Sequence, residues 1–86
     1  MINIDDFWKE AKSELSKELN SISYDVWIDK LEPVCFVKNA LILATYSYSA
    51  KKTIDGKYLD TIKTVIKKIN PLISGVEIII DTEKDS

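Results

Sequence analysis

The chain contains no histidine, no arginine and a single cysteine, Cys35. Each absence removes a class of chemistry. Without histidine there is no imidazole acid–base pair, no His-ligated metal and no Cys–His nucleophile. With one cysteine no intramolecular disulfide can form, which fits a reducing compartment. Without arginine, bidentate contacts to phosphate or guanine are missing, and all 12 basic side chains are lysines. Glycine and proline are scarce, with two of each. Gly56 and Gly75 stand far apart, so neither a nucleotide-binding Gly-rich loop nor a Gly-x-x-Gly clamp can be assembled. No apolar run approaches the ~20 residues of a membrane span. The acidic start, Met-Ile-Asn-Ile-Asp-Asp, lacks the basic and apolar regions of a signal peptide. A cytoplasmic protein is expected, with no enzyme activity, no cofactor, no bound metal and no small-molecule substrate.

What is present is the material of one domain. The 86 residues are 45% hydrophobic and 30% charged, which suits a folded domain rather than a disordered tail. A chain this short buries roughly 60–65% of its unfolded surface, enough for one modest core. Ile4, Trp8, Ala11, Leu15 and Leu19 follow one stripe of a first helix. Asn3 is its expected N-cap, with Asp5 and Asp6 in the first turn, where the helix dipole favours acids. A second, shorter helix is expected over about Ile22–Lys30, capped by Ser21. Ile22, Val26 and Leu31 share its buried face, Trp27 stands beside it, and Pro33 stops it. The period then changes to that of strands. Val34–Val37 and Ala40–Tyr46 flank the turn residues Lys38-Asn39 and read as a β-hairpin. A long third helix follows, capped by Ser47 or Ser49 and striped by Ile54, Tyr58, Ile62, Val65 and Ile69, with Gly56 as a candidate kink. Asn70-Pro71 ends it, and Gly75 introduces a last strand, Val76–Asp81. The order α-α-β-β-α-β predicts a two-layer α+β domain over 1–81, a three-stranded sheet packed against helices. Residues 82–86 read as a polar tail or the start of a linker.

Among side chains able to do chemistry, the carboxylates of the first helix alternate with lysines and read as a solvated face. Cys35 has no histidine partner and is expected as a small, at least half-buried strand residue. The third helix is one-sidedly basic. Over 50–70, six lysines against two aspartates leave +4, so the remainder of the chain carries −6. Lys51, Lys52, Lys63 and Lys67 are the candidates for contact with nucleic-acid phosphates, most simply of single-stranded DNA bound weakly. Trp8, Tyr24, Trp27, Tyr46 and Tyr48 are too many for so small a core to bury fully, and Trp and Tyr are typical interface anchors.

The series Phe7-Trp8-x-x-Ala11-x-x-x-Leu15-x-x-x-Leu19, followed by Tyr24-x-x-Trp27, resembles the N-terminal domain of the bacterial replication initiator DnaA. The Asn39-x-Leu41-x-Leu43 strand and the Ile54-x-x-x-Tyr58-Leu59-x-x-Ile62 helix match in order and spacing. The resemblance implies a KH-like fold and a non-catalytic interaction domain. Such a domain self-associates as a weak homodimer and docks the replicative helicase or replication-regulatory proteins. Trp8 matches the family's self-association tryptophan. The family's partner-binding surface maps to Ser23, Val26 and Trp27 and to Tyr46, Ser47, Tyr48, Ser49 and Ala50. Where the family usually has Ala-Pro-Asn-x-Phe, this chain has Thr45-Tyr46-Ser47-Tyr48-Ser49, so its exposed Phe is Ser49 here and Tyr46 or Tyr48 is the substitute aromatic. Two alternatives stand beside this reading. One is a free-standing regulator that mimics the domain. The other is a weak single-stranded nucleic-acid module built on the third-helix lysines.

Overall fold

Asn3 starts the first helix as expected. In the computed structural model, which describes residues 3–81, its side chain accepts the backbone N–H of Asp5 and Asp6 at 3.0 and 3.1 Å. Helix α1 then runs Ile4–Glu18 and buries Phe7, Trp8, Ala11 and Leu15. The polar tail 82–86 lies outside the described residues.

The second helix departs from the periodicity. A single α-turn, α2 (Ser21–Ser23), passes directly into a π-helical turn, Tyr24–Ile28. The cap is Asn20 rather than Ser21: its side chain accepts the Ser23 N–H at 2.8 Å. The π turn is closed by the i→i+5 bond from Asp29 N–H to the Tyr24 carbonyl, 2.9 Å long. This wider turn rotates the following residues away from the 3.6-residue register. Ile22 and Val26, expected in the core, are exposed, while Ile28 is fully buried with Leu31.

Strand β1 (Glu32–Val37) begins earlier than the apolar run suggested and takes Pro33 into an edge strand, where the missing N–H is tolerated. It pairs antiparallel with β2 (Ala40–Thr45) through a shift of register between Pro33 and Cys35. Lys38 and Asn39 close the hairpin at φ of 49° and 68°, the two positive angles of a type I′ turn. Strand β3 (Gly75–Ile80) adds parallel to β2, so the order is β1-β2-β3 with β2 central. Parallel pairing needs a crossover, and the third helix supplies it.

That helix is not one piece. It divides at Tyr58, φ −118°, into α3 (Tyr48–Lys57) and α4 (Leu59–Ile69). Gly56 lies two residues before the break and keeps helical backbone there. Ser47, not Ser49, is the N-cap, accepting the Ala50 N–H at 3.1 Å. Ser47→Ala is expected to lower stability by about 1 kcal/mol, read from a urea transition, because that N–H loses its acceptor.

The core lies between the helices and one face of the sheet. Leu41, Leu43, Val76 and Ile78 meet Ala11, Leu15, Ile54, Ile62 and Ile66 there, and the rings of Phe7 and Phe36 tilt against each other at 5.8 Å. Alternation sends Cys35, Val37 and Glu77 to the opposite face, and all three are exposed. Cys35 is therefore a correction. It sits on an edge strand beside the bulge, facing away from the core, and is exposed rather than half-buried.

Candidate protein-interaction surface

Trp8, on the apolar stripe of the first helix and matched by the resemblance to a self-association tryptophan, lies inside the structure. It is 3% exposed, and its indole N–H donates to the Leu31 carbonyl at 3.1 Å. The reason is local. Leu31 follows the π turn, and its carbonyl would be left without a partner in the core if the indole turned outward. What remains accessible is a groove of about 400 Å³ beside Trp8, walled by Asp5, Lys9, Lys12, Tyr24 and Pro33. Lys12 crosses to the far end of the π turn, donating to the Asp29 carbonyl at 3.1 Å and pairing with its carboxylate at 3.2 Å. Burial pushes the Tyr24 hydroxyl above the ordinary tyrosine range; nearby Lys12 opposes this, and Asp29 and Asp25 reinforce it. Tyr24 thus stays a neutral phenol around neutral pH.

The second group of candidate residues falls into three kinds. Val26, Tyr46 and Tyr48 are exposed, at 40, 41 and 71%. Ser49 is also exposed. Ser23, Ser47 and Trp27 are partly buried. Ser47 works as a cap, and Trp27 packs on the core. Ala50 is a correction: at 3% exposure it belongs to the core face of α3 and offers no contact.

Two contacts tie the 23–30 segment to the two ends of α3. The Tyr58 hydroxyl, at the end of α3, donates to Ser23 Oγ at 3.2 Å. The Lys30 ammonium lies 5.9 Å from the Tyr46 ring, just before α3 begins. The 23–30 segment is therefore pinned at both ends of α3. Ile22 is 75% exposed although periodicity had assigned it to the core. Beside Tyr48 a hollow of about 320 Å³ is lined by Lys51, Lys52, Asp55 and Gly56. A side chain on Gly56 would meet nothing within 4 Å, so the hollow opens to solvent there.

The four candidate lysines do not form one stripe. Lys51 and Lys52 line the hollow at Tyr48, and Lys51 is paired with Asp55. Lys63 and Lys67 line a different cleft, between α4 and the start of β3. Among the described residues no group of His, Cys, Asp or Glu is placed to hold a metal ion, and no helix is long and apolar enough to cross a membrane.

These features define a small α+β domain of helices on a mixed three-stranded sheet, with exposed apolar and aromatic side chains on the 22–26 and 46–48 segments. By its sequence the chain belongs to the DnaA N-terminal domain family, which matches residues 5–68. It is similar to the chromosomal replication initiator protein DnaA of Caldanaerobacter subterraneus subsp. tengcongensis, 24% identical over 78 residues. The proteins of that name from Thermoanaerobacter sp. (strain X514) and Thermoanaerobacter pseudethanolicus are 23% identical over 78 residues. Each alignment covers 91% of this chain and 18% of the relative, so the chain spans under a fifth of the length of these proteins.

Proposed function

We propose that this domain is a non-catalytic docking module of a DnaA-like replication initiator, acting in the cytoplasm. It self-associates and holds the replicative helicase or replication-regulatory proteins. The observation that supports this most directly is the exposure of Ile22, Val26, Tyr46 and Tyr48, with the 23–30 segment tied to the two ends of α3 by the Ser23–Tyr58 and Lys30–Tyr46 contacts. Exposed apolar and aromatic side chains grouped on a rigid support are the usual anchors of an interface. A patch this small binds weakly by itself. Many copies aligned on one DNA would raise its effective affinity by avidity. Trp8 contributes by fixing α1 against Leu31, not by touching a partner.

The test is titration of the domain with purified replicative helicase of the same cell, read by amide chemical shifts. Shifts are expected to cluster on residues 22–27 and 46–52. Val26→Asp and Tyr48→Asp should each weaken binding by about tenfold or more, as loss of an anchor does. Both sites are exposed, so the urea midpoint should hardly move. Helicase binding unchanged in both variants would overturn the assignment of this surface.

A further inference from the structure

We propose that copies of this domain associate head to tail, a lysine corner tipped by Leu72 in one copy seating on the acidic ridge of α1 in the next. The inference rests on the self-association reading above and gives it a geometry. It begins from Leu72, which is 77% exposed, more than any other large hydrophobic side chain described. Its loop is not slack. The Asn70 side chain accepts the Leu72 N–H at 3.0 Å, and the Asn70 carbonyl accepts the Ile73 N–H at 3.0 Å. An apolar side chain held outward on a fixed turn loses little conformational freedom on binding.

The surroundings of Leu72 are basic. Lys63 and Lys67 line a cleft of about 200 Å³ with Ile73, Ser74 and Gly75, and no acid lines it. Among the described residues neither lysine has an ion pair. Ser74 N–H donates to the Asn39 carbonyl at 2.8 Å, which brings the hairpin turn and Lys38 to the same corner.

The complement lies on α1. Asp6, Glu10, Glu14 and Glu18 recur every fourth residue and form a continuous acidic line. Like charges at this spacing disfavour a helix, so the line costs the isolated domain stability. Among the described residues one ion pair offsets it, Lys17 at 3.5 Å from Glu14. The ridge ends at a cleft of about 250 Å³ between α1 and α4, lined by Glu18, Asp60, Thr64, Val65 and one base, Lys68. That volume admits a leucine side chain.

The two clefts adjoin along α4, where Thr64 lines both, and among the described residues neither Lys63 nor Lys67 is paired with an acid of its own copy. The lysines of the corner and the acids of the ridge are then complementary between copies. A heterologous contact of this kind does not close on itself and grows into short chains. Nucleic acid is the less favoured occupant, because the cleft has no aromatic ring on which a base could stack and no arginine.

The experiment is sedimentation velocity of the full chain over a concentration series at low and high salt. Wild type should grow with concentration without a plateau at dimer and shrink when salt screens the contact. The doubles Lys63→Glu/Lys67→Glu and Glu10→Lys/Glu14→Lys should each lose association by about tenfold or more, because each places like charges at the junction. Mixed in equal amounts they should recover it, since both junctions of an alternating chain are again complementary. Leu72→Ser should weaken wild-type association without changing its salt dependence. A mixture that stays monomeric, or reversals without effect on an associating wild type, overturns this proposal alone. A wild type monomeric throughout overturns the self-association reading with it. Lysine variants that lose single-stranded oligonucleotide binding while associating normally would assign the corner to nucleic acid instead.

Discussion

Trp8→Ala is expected to unfold a large part of the protein rather than to yield a folded, association-defective monomer. The indole is 3% exposed within the core, beside Ala11, Leu15 and Leu31. Removing a buried tryptophan costs about 3–5 kcal/mol through lost burial and the cavity left behind. It also strands the Leu31 carbonyl, which loses its 3.1 Å donor. A domain of this size has a total stability on the order of 5–10 kcal/mol, so the loss takes most of the margin. Trp8→Phe separates the two contributions. It keeps most of the ring volume and removes the donor, at a cost of about 1–3 kcal/mol. Urea denaturation followed by far-ultraviolet circular dichroism checks both. A Trp8→Ala protein as stable as wild type would mean that the indole is not a core group. The consequence for function is direct: association lost in Trp8→Ala reports unfolding, whereas association kept in Trp8→Phe shows that the contact surface lies elsewhere on α1.

The same tryptophan shows how far the sequence could be read. Its place on the stripe with Ala11 and Leu15 was legible from a period of 3.6, and so was the burial of Ile54, Ile62 and Val65 on the crossover. The hairpin was legible from Lys38-Asn39 between β-branched runs, because asparagine tolerates the left-handed region that a type I′ turn requires. The break at Tyr58 was not, since the backbone bonds from Tyr58 N–H to Ile54 and from Ile62 N–H to Tyr58 continue across it and the apolar stripe stays unbroken. Cys35 was misplaced because its burial was expected from residue type alone, whereas alternation with the core-packed Phe36 turns it to the other face of the edge strand. For the interaction surface, Tyr46 and Tyr48 were identified from residue type, since aromatics exceeded what the core could hold, and Val26 only through the family resemblance. Ile22 and Leu72 were missed. An apolar residue carries no mark of exposure until the turn that presents it is known, here the π turn and the Asn70 turn.

The π turn makes the sharpest forecast that periodicity contradicts. Counting in steps of 3.6 from Ile22 puts Ile22 and Val26 in the core and leaves Ile28 off the stripe. The observed turn reverses this, with Ile22 at 75% exposure and Ile28 at 0%. Ile28→Ala is therefore expected to destabilise the fold by about 2–5 kcal/mol, the cost of a cavity at a fully packed site. Ile22→Ala should stay within about 0.5 kcal/mol, as exposed substitutions do. Paired urea transitions of the two variants check this ranking, which is the reverse of one that buries the Ile22–Val26 stripe. The distinction carries through to function. The segment sends Ile28 into the core and presents Ile22 and Val26 to solvent. Shortening it by one residue, through deletion of Asp25, should close an ordinary α-turn and rotate the residues after it by roughly 100°, the step of one helical residue. Either Ile28 leaves the core or the exposed pair is pulled out of alignment with Tyr48. Loss of stability and loss of helicase binding are then expected together, whereas Val26→Asp loses binding alone.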